Sequence, residues 1–557
     1  MKLQTLSTNT TIGILLGTSV CAQAKKPERP NIIVILVDDM GYSDLGCYGG
    51  EIHTPNLDRL AADGLRFSHF YNCGKSCPTR ASLLTGLYQH QAGVGRMTFD
   101  DQLPGYRGNM SHNAVTIAEV LKSAGYQTGM IGKWHVAETP LRDDQRQWLA
   151  HQVRHDEFTH LDNYPVNRGF DRFFGTIYGV IDYFDPFSLV DGITPVDSVP
   201  DGFYDTIALT DSAVAYLNHF EKQDGKPFFM YLAYHAPHWP LHALPEDIKK
   251  YEDTYKVGWE KIRDARYDRI KKLGIFGDAD DFLTPRHFSD PWEEDATQEW
   301  DARAMAVHAA MIDRVDTEIG RVLQTLESNG ELDNTLILFL SDNGCSSENC
   351  QLYSEGENDR PAELRNGDRM IYPRNKEVLP GPQNTYASVG PRWANVANTP
   401  FRFWKGKSYE GGICTPMIAH WPKGIKQPKG GITAQAGHVM DILATCIDVA
   451  GAKYPKEYNG NSIIPLEGLS LVPILTKGAR KGHSELGFEH FGEKALYSND
   501  GWKIIQAGDK GKWELYDLKN DRTEMHDLAD RYPDKVNELL LQYEQWAKRC
   551  MVIPSPK

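Results

Sequence analysis

No apolar run in this 557-residue chain reaches the roughly 18–20 residues that cross a bilayer, which excludes a protein built on membrane-spanning helices. Cysteine is sparse, with nine in all and none in a CxxC pair, so zinc ribbons and fingers are excluded. There is no internal repeat and no low-complexity tract, which removes solenoids and disordered scaffolds. The chain also lacks a basic excess. Lys and Arg total 60 against 75 Asp and Glu, a net charge of −15, which excludes nucleic acid as a partner. An anionic substrate would have to be drawn by local cations, not by the overall field. What remains is 41% hydrophobic and 24% charged, an ordinary globular composition.

The N-terminus reads as an export signal. Lys2 is a thin positive region, Ile12 to Val20 a short apolar stretch, and Ala22-Gln23-Ala24 a small-x-small cleavage site. Residues 1–24 are therefore expected to leave, with the mature chain starting near Lys25 in the periplasm. Lipidation of Cys21 is the alternative, on a poor preceding Thr18-Ser19-Val20. Of the cysteines that stay, Cys345 and Cys350 are near enough in sequence to consider as a disulfide, and buried thiols are equally compatible.

Along the chain, continuous β-branched runs alternate with amphipathic segments. Asn31 to Val37 (NIIVILV), Pro227 to Tyr234 (PFFMYLAY) and Thr335 to Leu340 (TLILFL) have the pattern of parallel strands buried on both faces. Gln127 to Gly132 and Pro416 to Trp421 are further strands. Helices are expected over Thr54 to Phe70, Asn113 to Ala124, Trp300 to Ser328 and His438 to Ala450. Residues 137–200 and 346–400 read as loops, and 245–300 as a helical excursion on the surface. After Gly478 short strands (Lys494 to Tyr497, Trp502 to Ala507, Trp513 to Asp517) and a helix from Pro533 to Cys550 follow. The expected architecture is α/β: a large, mixed, mostly parallel sheet sandwiched by helices over 25–480, with a smaller antiparallel-sheet subdomain over 481–557.

Chemistry-bearing residues gather at the ends of these strands, where doubly wound sheets keep their sites. Asp38-Asp39 closes the first strand and Asp342-Asn343 the TLILFL strand. Three carboxylates and one amide form an all-oxygen set suited to a hard divalent cation, although each pair alone also suits turns and helix caps. Lys133 and His135 end the Gln127 strand, on one face if the chain stays extended. His235 and His238 follow PFFMYLAY. The stretch Gly74 to Gly86 (GKSCPTRASLLTG) places Ser76 at the positive start of a helix, with Pro78 in its first turn, Arg80 one turn on and Gly86 at its end. Ser76 and Arg80 there also fit a capping serine and a surface arginine.

Taken further, Ser76-Cys77-Pro78-Thr79-Arg80 with Ala81-Ser82-Leu83-Leu84-Thr85-Gly86 resembles the maturation signature of the type I sulfatases, in its serine form. Cys77-Pro78-Thr79-Arg80 is one residue short of C-x-P-x-R, so the register selects Ser76. Gly125-Tyr126-Gln127-Thr128 running to Gly132-Lys133-Trp134-His135 resembles the second sulfatase signature. Ala236-Pro237-His238-Trp239-Pro240-Leu241 and Lys405-Gly406-Lys407-Ser408-Tyr409-Glu410-Gly411-Gly412 resemble two further segments, the register favouring Lys405 over Lys407. The resemblance spans Asn31 to about Leu518 and is nearest the bacterial arylsulfatase branch.

The resemblance implies hydrolysis of an aryl or carbohydrate sulfate ester. Ser76 would be oxidised to Cα-formylglycine by a maturase that accepts serine, and would form a sulfo-enzyme as the aldehyde hydrate. One Ca²⁺ would be held by Asp38, Asp39, Ser76, Asp342 and Asn343. Asp342 would orient or deprotonate the attacking hydroxyl. Arg80, Lys133 and Lys405 would hold the sulfate, His238 would protonate the leaving oxygen, and His135 would accept the proton of the second hydroxyl. His235 reads as structural. The rival readings are a phosphatase or phosphonate monoester hydrolase of the same superfamily, and a catalytically inactive glycan-binding relative.

Overall fold

A computed structural model describes residues 29–140, 145–223, 225–277, 282–356 and 360–553. The proposed signal over 1–24, with Cys21, lies outside them.

The centre is a ten-stranded sheet. Its strands run in the order Gly431–Thr433, Leu65–Phe67, Met417–His420, Thr335–Ser341, Asn31–Val37, Phe228–Ala233, Gln127–Lys133, Arg172–Thr176, Leu189–Asp191 and Thr194–Pro195. Thr335–Ser341, Asn31–Val37, Phe228–Ala233, Gln127–Lys133 and Arg172–Thr176 pair in parallel, and Met417–His420 runs against them. Alternation along Asn31–Val37 sends Ile33, Ile35 and Val37 into one apolar layer and Ile32, Val34 and Leu36 into the other. Both layers are covered, which explains why the run carries no polar alternation. The register sets Val37 beside Ser341 and Leu36 beside Ala233, so these three strands end at one level.

Several expected elements differ. The Thr54–Phe70 helix stops at Asp63; Gly64 ends it, because a Cβ there would lie 2.3 Å from the Ala419 carbonyl oxygen, and Leu65–Phe67 joins the sheet. The helices placed from Asn113 and His438 begin at Ile117, behind a Thr116–Glu119 capping box, and at Asp441. Residues 137–200 contain the Gln145–Arg154 helix and three strands. The 245–300 excursion is not confined to the surface. Its Trp259–Leu273 helix buries Trp259, Ile262, Arg263, Arg266 and Ile270, and Arg266 pairs with Asp44 and Glu51, both at 2.7 Å. The eight described cysteines are buried thiols, and no disulfide joins Cys345 to Cys350.

The small C-terminal sheet is antiparallel, as expected, with one more strand than the sequence suggested: Glu485–His490, Glu493–Ser498, Trp502–Gln506 and Trp513–Asp517 in consecutive order. The missed strand, ELGFEH, carries too few β-branched residues to announce itself. Helix Pro533–Arg549 packs over the sheet through Leu539, Tyr543 and Trp546. The sheet is fastened to the large layer by ions. Lys503 donates to Glu410 at 2.8 Å and to Glu524 at 2.6 Å, and Arg522 pairs with the same Glu410. All four are buried. Removing the lysine would leave Glu524 buried without its cation, while Glu410 keeps Arg522. Lys503→Ala is therefore expected to lose about 3–5 kcal/mol of stability, read from denaturant unfolding. A loss below about 1 kcal/mol would show that this network does not hold the small sheet in place.

Candidate active site

The ends of the parallel strands and the start of one helix meet at a point. Ser76 opens the Ser76–Thr85 helix, all ten of whose residues are buried, and Gly86 closes it at φ 67°. The Ser76 hydroxyl lies 3.0 Å from Asp38 Oδ1 and 3.3 Å from Asn343 Oδ1. Asn343 Nδ2 donates to Asp39 Oδ1 at 2.7 Å, and the Asp39 backbone N–H to Asp342 Oδ1 at 3.3 Å. The five oxygen-bearing residues expected to share a cation are thus linked by direct contacts.

Three cations match the three carboxylates. Lys133 is paired with Asp38. Lys405 lies 2.7 Å from Asp39 Oδ1. Arg80 sets Nε and Nη2 on Asp342 Oδ2 at 3.2 and 2.8 Å, with Nη1 on the Lys133 carbonyl at 3.1 Å. Burial raises Asp38, but Lys133, His238, Arg80 and Lys405 outweigh it and hold the carboxyl well below its usual range. Burial and then the Asp38 charge push Asp342 up to about 7. Burial also raises Asp39, while Lys405 opposes the shift. Lys405 is held above its ordinary range because Asp39 and Glu348 outweigh its burial.

The two histidines follow different strands, His135 the Gln127–Lys133 strand and His238 the Phe228–Ala233 strand. His238 Nδ1 lies 2.6 Å from the Trp239 carbonyl, which can only accept, so Nδ1 carries the proton and Nε2 faces the site, 3.5 Å from Asp39 Oδ2. Asp38, Asp39 and His238 each offer one ligand atom within 4.8 Å of the others. His135 Nε2 lies 3.2 Å from Cys77 Sγ, and its Nδ1 is buried without a hydrogen bond. The strand alternation expected to align it with Lys133 does not extend that far. The strand ends at Lys133, and His135 takes φ 53°. Gly179 makes room for the ring, since a Cβ there would sit 2.2 Å from His135 Cε1. Burial, and then the neighbouring lysines, keep both imidazoles well below the usual histidine range. His235 bonds Thr176 and Asp205 at 2.6 and 2.9 Å, as a structural residue would.

Sequence reasoning missed the supports. Asp44 Oδ2 accepts from the Gly41 N–H at 2.8 Å and lies 3.1 Å from His308 Nε2, fixing the turn after Asp38-Asp39. Glu348 joins Lys75 at 3.3 Å to the Trp239 indole N–H at 2.7 Å. Gly344 shows why glycines follow Asp342-Asn343 and Glu410. A Cβ there would lie 1.9 Å from the Gly411 carbonyl oxygen, so the two loops can only meet backbone to backbone.

The site is thus a cation-balanced carboxylate cluster at the strand ends of a large mixed sheet, and comparison with known proteins sets the chain in the alkaline phosphatase-like superfamily. A profile of the sulfatase family matches residues 30–452, three-quarters of the sequence, and the chain belongs to that family. A profile described as N-sulphoglucosamine sulphohydrolase, C-terminal, matches residues 401–545. The chain is 34% identical to an arylsulfatase of Klebsiella aerogenes, over 84% of this chain and 96% of that one. It is 27% identical to an N-acetylglucosamine-6-O-sulfatase of Bacteroides thetaiotaomicron, over 96% and 89%. Its fold resembles the crystal structure of Ps i-CgsB in complex with k-i-k-neocarrahexaose, with a TM-score of 0.63 at 24% identity, covering 93% of each chain. The protein is a sulfatase, an enzyme that hydrolyses sulfate esters.

Arg80 grips Asp342 through two nitrogens of a planar fork, which lysine cannot reproduce. Arg80→Lys is expected to lower kcat/KM for a sulfate ester at least about 10²-fold. Activity within about threefold of wild type would show that charge alone suffices there.

Proposed function

We propose that this exported, periplasmic sulfatase releases sulfate from an aryl or carbohydrate ester, with residues 25–480 as its catalytic part and 481–557 as a C-terminal subdomain. The observation that carries the reading is Ser76, a buried hydroxyl at a helix N-terminus, flanked by Asp38 and Asn343 and surrounded by Arg80, Lys133 and Lys405. An unmodified serine hydroxyl is a weak nucleophile. Formylglycine made from Ser76 by a serine-accepting maturase would supply, as its hydrate, one hydroxyl to attack sulfur and a second to release it. The linked oxygens of Asp38, Asp39, Ser76, Asp342 and Asn343 fit a Ca²⁺ ion, which would polarise the attacking hydroxyl and the sulfate oxygens.

The remaining roles belong to the chain's own side chains. Asp342, whose Oδ1 faces the Asp39 N–H, orients or accepts the proton of the attacking hydroxyl. Arg80, Lys133 and Lys405 hold the sulfate oxygens as the S–O bond breaks. His238, its Nδ1 proton committed to Trp239, faces the site through Nε2; it serves as the acid once Nε2 has taken up a proton in the substrate complex, and gives that proton to the leaving oxygen. His135, beside the residue that follows Ser76, takes the proton of the second hydroxyl.

Two measurements check this. Peptide mass analysis of protein from its native host should show loss of two hydrogens on the peptide carrying Ser76, and Ser76→Ala should be inactive; full activity of that variant would sink the mechanism. Proton donation by His238 matters most for a basic leaving group. His238→Ala should therefore lose about 10²–10⁴-fold on a sugar sulfate and distinctly less on nitrophenyl sulfate. Lys405→Ala should depress both by similar factors. Equal losses for His238→Ala on both substrates would remove the acid role.

A further inference from the structure

We infer that the tip of the C-terminal hairpin, His490 with Glu493, is the subsite for the alcohol half of the ester, and that this alcohol is a sugar. The inference rests on the sulfatase reading above and narrows it from aryl or sugar to sugar. His490 and Glu493 face each other across the antiparallel pair Glu485–His490 and Glu493–Ser498, so their side chains share one face. Phe488, two residues back on that face, lies 5.9 Å from Tyr71, so the face looks toward the catalytic layer. Glu493 Oε1 accepts from Lys407 at 2.7 Å, and the neighbouring Gly406 N–H donates to the Gly74 carbonyl at 2.8 Å. The tip is thereby tied to the two loops that carry Lys405 and Ser76. Lys75, next to Ser76, is near enough that its charge, after burial, helps to lower the His490 ring to about 3.

The decisive feature is what these side chains leave unused. Glu493 Oε2 and the His490 ring nitrogen turned away from the Gly95 carbonyl are buried and unmet, in residues only 7% and 5% exposed. Buried polar atoms are rarely left unmet, and adjacent ones on one face suit a ligand that meets them together. With its N–H directed at the Gly95 carbonyl, the neutral imidazole leaves an acceptor nitrogen, and the carboxylate oxygen accepts too. Neighbouring hydroxyls on a sugar ring, each both donor and acceptor, match that set. A phenyl ring matches none of it. The surrounding charges are already paired, Lys75 with Glu348 and Lys407 with Glu493, so the rim favours neutral hydroxyls over a second anion.

The test compares kcat/KM of the matured wild type, His490→Ala, His490→Gln and Glu493→Gln on a panel of sulfated mono- and disaccharides and on nitrophenyl sulfate. The alanine and Glu493→Gln variants should lose about 10–100-fold more on the best sugar sulfate than on nitrophenyl sulfate. His490→Gln, which keeps a donor and an acceptor, should recover part of the loss. Turnover of nitrophenyl sulfate reports that each variant has folded. Equal losses on both substrates, or a wild type that cleaves nitrophenyl sulfate and no sugar sulfate, would overturn the subsite. A matured wild type inert toward every sulfate ester would overturn the sulfatase reading itself, and this inference with it.

Discussion

Everything in this molecule depends on keeping three carboxylates together away from water. Asp38, Asp39 and Asp342 are fully buried or nearly so, and mutual repulsion with burial would otherwise neutralise them. Lys133, Lys405 and Arg80 each take one, so the cage is close to neutral. Such a balance is a reason for a divalent cation to belong there. Adding two positive charges to a neutral cage leaves a site whose charge complements a sulfate group, in a chain whose overall charge of −15 would repel one.

The fold exists to hold that balance in register. Parallel strands ending at one level put Asp38 beside Asp342, and the Ser76 helix brings Arg80 beneath both. Two of the described non-glycine residues at positive φ lie at the site, Asp39 at 65° and His135 at 53°. The small sheet completes the arrangement from outside. Glu410 opens the short helix that follows the Lys405 loop and is clamped by Lys503 and Arg522, so the small sheet also braces the segment that carries Lys405.

Much of this was legible in the sequence because the physics is local. A buried parallel strand must be apolar throughout, so NIIVILV and TLILFL announced themselves, and the carboxylates that close them could be read straight off. Ser76, Arg80, Lys133, His238 and Lys405 lay in motifs whose spacing survives folding. What stayed hidden depends on partners far along the chain. The 245–300 segment read as a surface excursion, yet Arg266 within it meets Asp44 and Glu51, more than two hundred residues earlier, in the interior. Leu65–Phe67 read as the end of a helix because nothing nearby signals that Met417–His420 will pair with it. The direction of His135 could not follow from strand alternation, since its backbone leaves the extended region. His490 carries no motif, and only the hairpin register brings it opposite Glu493.

The measurement that bears most directly on the cage is the metal content of the matured protein, by elemental analysis alongside activity, for wild type and Asp39→Asn. The account predicts one tightly held Ca²⁺ per chain, lost together with activity in the variant and on chelation. An active wild type that carries no divalent cation, or two transition-metal ions, would contradict it.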